Sequence, residues 1–198
     1  MVRSPAWTSA FRSLSVWPER LDRHSRKNKK PDKAYKWPTR DPDDCGAAAS
    51  FAIVAKLGLL DKLVHVSYNN FIDAPSGPDA QNQLKIRCEG AAERWGFRKT
   101  KIFDVTSQLR EARKDLATEM GKSTASDPLW FMHAGLSEFL YQVVEEVIKQ
   151  GKLEALHYVY LVSHCKFNED EQRRDYHRIW KDVQDRCGKR IQYKKIRD

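Results

Sequence analysis

The sequence lacks any apolar run long enough to cross a membrane. Its longest apolar stretches, such as residues 156–162, have the length of a strand, whereas a membrane-spanning helix needs roughly 18 apolar residues. The first 20 residues also lack the apolar core and the small-residue cleavage site of a secretory signal. The sequence therefore predicts a soluble protein with no membrane partner.

Cysteine is also scarce, and its spacing excludes two common uses. The four cysteines are far apart and never fall in a CxxC or CxxH spacing. This argues against a structural zinc site and against a disulfide framework. Isolated thiols are more typical of a reducing compartment, so we expect a cytoplasmic location.

Positive charge is concentrated at the beginning of the chain. Residues 1–40 carry 11 Lys or Arg and 3 Asp or Glu, which accounts for +8 of the net charge of +9. The basic run at residues 23–33 contains no aromatic side chain on which bases could stack. We therefore predict a basic, flexible arm over residues 1–32 followed by one α/β domain over residues 33–198, and nucleic acid is not the favoured partner.

Apolar strand patterns alternate with helical patterns along the rest of the chain. This alternation predicts an α/β fold: a Rossmann-like three-layer sandwich with a mostly parallel sheet and helices on both faces. The last strand could be an exposed edge that pairs with a second copy of the chain. The predicted strands lie at residues 34–37, 63–68, 101–105, 129–133, 158–163 and 190–196.

Polar side chains follow most of these strands. In a parallel sheet, ligands bind outside the carboxyl ends of the strands, so these side chains are expected to form one acidic, histidine-bearing cleft. Such a set suits a hard cation with oxygen ligands, a polyhydroxyl ligand, or both. In strand order, the polar residues are Asp41, Asp43 and Asp44; Asn69 and Asn70; Asp104; His133; and His164 with Asn168.

Each candidate also has a structural explanation. The three aspartates could simply cap a helix, although one cap needs only one carboxylate and a bound cation would relieve the repulsion among three. His133 and His164 could make structural hydrogen bonds instead of taking part in catalysis. His65 lies within an apolar strand, so we expect it to be a core histidine.

Three segments resemble the nucleoside hydrolases and their divergent relatives: DPDD at 41–44, LVHVSYNN at 63–70 and HAGLSEFLY at 133–141. In that family, aspartates after the first strand bind calcium, and the calcium holds the sugar hydroxyls and a water that attacks the anomeric carbon. The resemblance implies a calcium site and a sugar or nucleoside ligand. The residues implied are Asp41, Asp43 and Asp44 for calcium, Asp41 or Asp43 as base, His133 or His164 at the leaving group, and Asn69, Asn70 and Asn168 at the substrate.

The sequence also departs from the family pattern. Thr39 stands where the family has a further aspartate, and the chain ends before the distal part that completes the family's site. We therefore expect a metal-assisted hydrolase of an N-glycosidic or related sugar bond, which truncation could have inactivated. The alternatives are a non-catalytic sugar-binding or small-ligand-binding domain of the same fold and a nucleic-acid-associated protein that uses the basic arm.

Overall fold

The computed structural model describes residues 7–12, 43–73, 75, 77–163 and 166–196. Within these ranges the chain forms one six-stranded sheet in the order β3-β2-β1-β4-β5-β6. The strands are β1 (Trp7–Arg12), β2 (Leu63–Tyr68), β3 (Lys101–Asp104), β4 (Leu129–Ala134), β5 (Val159–Ser163) and β6 (Gln192–Lys195).

Helices cover both faces of this sheet. On one face, Phe51 and Leu84 of the first two helices pack with Val66 of β2. On the other face, Leu116 and Val143 belong to the core formed with β4 and β5. The predicted three-layer α/β sandwich is confirmed. The helices are α1 (Asp43–Lys56), α2 (Pro78–Trp95), α3 (Val105–Gly121), α4 (Ser137–Lys149), α5 (Lys166–Asp170) and α6 (Trp180–Arg186).

Five strands run in the same direction and the central strand, β1, runs against them. Trp7 pairs with Tyr68 on β2 and with Ala134 on β4, and Arg12 pairs with Leu129 at the start of β4. β1 therefore begins at the edge where β2 and β4 end. The prediction of a mostly parallel sheet is confirmed, with one antiparallel strand at its centre.

The prediction that all of residues 1–32 form a flexible arm is wrong for β1. Ala10 is fully buried in the main core, and Arg12 is only 8% exposed. The Arg12 guanidinium donates to Ser123 Oγ (3.3 Å) and lies 3.5 Å from a carboxylate oxygen of Glu119. At least one cation of the basic head is thus a buried structural residue. The rest of that head and the strand predicted at residues 34–37 lie outside the described residues.

The connections place the start of each parallel-sheet helix near the carboxyl edge. α1 is joined to β2 through the short segment 57–62, which contains a 3-10 turn (Leu60–Lys62). The end of α1 therefore lies beside the start of β2, and its first residue, Asp43, points toward the carboxyl edge. In the described part of the chain, no helix combines the length and the apolarity needed to cross a bilayer.

Candidate functional site

The carboxyl ends of β2 and β3 bring together Asn69 and Asp104. Asn69 follows β2 directly and adopts the left-handed backbone region (φ 58°), which asparagine tolerates better than most residues. Its amide nitrogen donates to Asp104 Oδ1 (3.1 Å). The Thr106 main-chain N–H donates to the same oxygen (3.0 Å), so Asp104 also caps α3. We call Asn69 and Asp104 the β2–β3 polar pair.

Within this pair, the Asn69 amide oxygen is a buried acceptor. Asn69 is 5% exposed, and its Oδ1 atom has no hydrogen-bond partner among the described residues. The amide orientation is fixed, since the opposite orientation would place this oxygen against the Asp104 carboxylate. The pair therefore offers oxygen acceptors and suits a hydroxyl, an ammonium group or a hard cation better than an anion.

The carboxyl ends of β4 and β5 carry a closed hydrogen-bond network. His133 Nε2 donates to the main-chain oxygen of Asn168 (3.1 Å) and lies 3.2 Å from Ser137 Oγ. Asn168 Nδ2 donates in return to the main-chain oxygen of His133 (3.0 Å), and Ser137 Oγ donates to Asn168 (3.0 Å). All three side chains are buried. These contacts account for His133 and Asn168 structurally, and their roles in catalysis and substrate binding stay predictions.

An apolar cluster separates these two polar groups. It consists of Phe71, Leu136 and the partly buried Phe167, which lie beyond the ends of β2, β4 and β5. Because β1 stands between β2 and β4, two strand spacings separate the groups, or about 10 Å. The structure therefore brings the predicted residues to one edge but divides them between two neighbourhoods.

Sequence reasoning missed two buried acids at the same edge. Glu169 is 7% exposed, and its Oε1 atom accepts hydrogen bonds from Ser163 Oγ (2.9 Å) and from the Tyr193 hydroxyl. Glu138, in the first turn of α4, is 4% exposed and accepts from the Arg178 main-chain N–H (2.7 Å). Their only signal in the sequence is that each follows a strand end by a few residues.

The predicted calcium ligands are only partly described. Asp43 and Asp44 are the first two residues of α1, but their side chains, together with Asp41 and His164, lie outside the described residues. Among the residues that are described, no three His, Cys, Asp or Glu side chains cluster as metal ligands would. Calcium binding therefore stays a prediction that depends on the aspartates before and at the start of α1.

Two further polar residues that the sequence singled out lie apart from this chemistry. Asn70 is 1% exposed, and its amide donates back to the Ser67 main-chain oxygen (3.4 Å). His65 is fully buried, as predicted for a core histidine, and its Nδ1 atom lies 2.8 Å from Asp115 Oδ2. Burial lowers the pKa of His65 below its ordinary value, although the Asp115 carboxylate opposes this.

Comparison with known proteins gives one relative. Over 138 residues the chain is 33% identical to Uncharacterized protein P22 of Formosa agariphila, a stretch that covers 66% of this chain and 49% of the relative. The chain thus spans about half the length of the curated relative it matches. No family model matches the sequence, and no solved structure matches it. The resemblance to nucleoside hydrolases stays a prediction.

Proposed function

We propose that the carboxyl edge of the sheet binds a sugar or nucleoside and that, with calcium, the protein hydrolyses an N-glycosidic or related sugar bond. The observation that carries this proposal is the buried, unpartnered oxygen of Asn69 beside Asp104. An unsatisfied buried acceptor costs roughly 1–3 kcal/mol. A ligand hydroxyl would remove that cost at the edge where α/β proteins bind their ligands.

The chemistry of the donor set fits a calcium-dependent sugar site. Asp41, Asp43 and Asp44 would hold the cation, since carboxylate and amide oxygens are the ligands that calcium prefers. When bound, calcium lowers the pKa of a coordinated water and orients it. Asn69 and Asp104 would accept hydrogen bonds from the sugar hydroxyls, and Asp41 or Asp43 would take the proton from the attacking water.

Binding without turnover is the second candidate, and the state of His133 favours it. His133 is 1% exposed and bonded to Asn168, so it would have to leave this network to protonate a leaving group. His164 is the other residue proposed for that role. Binding of nucleic acid through the basic arm has less support, because Arg12 is buried against Glu119.

The first experiment compares thermal unfolding in EDTA and in excess calcium. It uses the wild-type protein, the double variant Asp43→Ala with Asp44→Ala, and Asp79→Ala as the control. Asp79 lies in the first turn of α2, so the control removes a carboxylate from a different helix start. We expect calcium to raise the midpoint of the wild type and of the control, but not that of the double variant.

Turnover is then measured with inosine and with p-nitrophenyl β-D-ribofuranoside in the same buffers. Release of base or nitrophenol that requires calcium and both aspartates would establish the hydrolase. A calcium-dependent shift with inosine binding but no release would establish a binding domain. If calcium leaves all three midpoints unchanged, the aspartates are helix caps and the calcium proposal fails.

A further inference from the structure

Residues 166–178, which we call the strap, cross the carboxyl edge of the sheet. The strap contains α5 and connects β5 to α6. Its first part contacts the end of β4 through Asn168, and its later part contacts the loop after β2 through Arg174. It therefore passes over the start of β1 and over the apolar cluster between the two polar groups.

The strap is anchored at both ends by buried hydrogen bonds. Near its start, Asn168 is 4% exposed and is bonded in both directions to His133. At its end, the Arg178 main-chain N–H donates to Glu138 Oε2, and Gln142 holds the other Glu138 oxygen (2.9 Å). Buried bonds of this kind are costly to break, because each leaves polar groups without partners.

The middle of the strap, residues 171–176, is held by exposed contacts. Arg174 donates through Nε (3.1 Å) and Nη2 (2.7 Å) to the Asp73 main-chain oxygen. The Tyr176 hydroxyl donates to Asp73 Oδ2 (3.3 Å), and Tyr176 is 58% exposed. Exposed polar contacts contribute little net stability. The middle section can therefore separate from Asp73 while both anchors hold.

The loop that receives these contacts is the one that carries the proposed ligand residue. Asn69 and Asp73 lie in the same short turn after β2, and both have positive φ values, 58° and 54°. Between them, the Phe71 ring lies under the Arg173 guanidinium at 3.9 Å. A movement of the middle section would thus uncover this loop, and with it the approach to Asn69.

We propose that residues 171–176 form a hinged lid over the β2–β3 polar pair and that Arg174 and Tyr176 latch this lid to Asp73. Asn168 and Glu138 fix the two hinge ends. Opening admits a ligand to the edge and closing excludes water from it. What the lid covers rests on the proposed sugar or nucleoside site, whereas the latch itself is a property of the chain.

The test is hydrogen exchange by mass spectrometry on the full chain. The variant is Arg174→Ala with Tyr176→Phe, and the control is Lys181→Ala, which removes an exposed ion pair with Asp185 outside the strap. We expect the variant to speed exchange of residues 69–73 and 171–176 about 2- to 10-fold, the range set by losing exposed hydrogen bonds. Exchange in β4 and β5 should match that of the control.

Two outcomes would overturn the lid. Unchanged exchange at residues 69–73 would mean that Arg174 and Tyr176 do not hold the loop. Faster exchange throughout β4 and β5 would mean that the strap is a structural tie whose loss loosens the whole sheet. Adding inosine with calcium separates this proposal from the proposed function. A latch effect without protection by inosine leaves the lid standing and removes the nucleoside site.

Discussion

The two halves of the carboxyl edge meet their hydrogen-bonding needs in different ways. At the ends of β4 and β5, His133, Ser137 and Asn168 bond to one another in a closed network. At the ends of β2 and β3, Asn69 is just as buried, yet its amide oxygen has no partner among the described residues. A closed network is what a structural junction needs, whereas a buried acceptor without a partner is what a ligand site retains.

The largest expected effect comes from breaking the closed half. Asn168→Ala should lower the free energy of unfolding by about 2–4 kcal/mol, because it leaves the buried His133 main-chain oxygen without its donor. Urea unfolding measures this, with Asn82→Ala as the control because Asn82 is exposed on α2. A loss within the range of the control would mean that the network contributes little to the fold.

A smaller effect, on binding more than on stability, is expected in the other half. Asn69→Gly keeps the positive φ and removes the acceptor, and Asp104→Asn keeps an oxygen that can cap α3. Each should weaken inosine binding in calcium about 10-fold, which corresponds to about 1.4 kcal/mol, while the unfolding midpoint changes little. Titration calorimetry measures the affinity. Equal binding by wild type and both variants would place the ligand elsewhere.

The sequence predicted the elements better than the contacts between them. Leu63–Tyr68 was predicted to the residue, since its apolar side chains are buried on both faces of the sheet. Gly96 was predicted to end α2 and does so with φ 78°. β1 was missed because Thr8, Ser9 and Ala10 carry little hydrophobic signal. Their place in the sheet is decided by pairing with strands far along the chain.

The site was predicted in its location but not in its pairing. Apolar strands that end in polar residues indicated the carboxyl edge, and Asn69 and His133 lie there. The sequence could not show that His133 bonds to Asn168 rather than facing a ligand, because residues so far apart meet only through the fold. The same limit hid the buried acids Glu138 and Glu169, whose surroundings come from other elements.

The smallest expected effect is a pH dependence on the β2 side. Burial favours neutral His65 in the folded protein, so its contribution is fully present above the unfolded pKa of about 6.5 and is lost as the pH falls below it. His177, whose pKa burial also lowers, acts in the same direction. His65→Asn should flatten the fall in stability between pH 7 and pH 5, by at most about 1.4 kcal/mol per pH unit. Urea midpoints at several pH values measure this, and parallel curves would contradict it.

The central antiparallel strand has a consequence for how the chain folds. β1 is made first but is flanked by β2 and β4, and Arg12 pairs with Leu129, which is made only after two other strands. Until β4 emerges from the ribosome, β1 has one partner at most, and the edge that will receive β4 stays open to wrong pairing. Closure of the sheet is therefore a late, long-range event, and such events slow folding. Once β1 is seated, it joins two half-sheets that share no other strand pairing among the described residues.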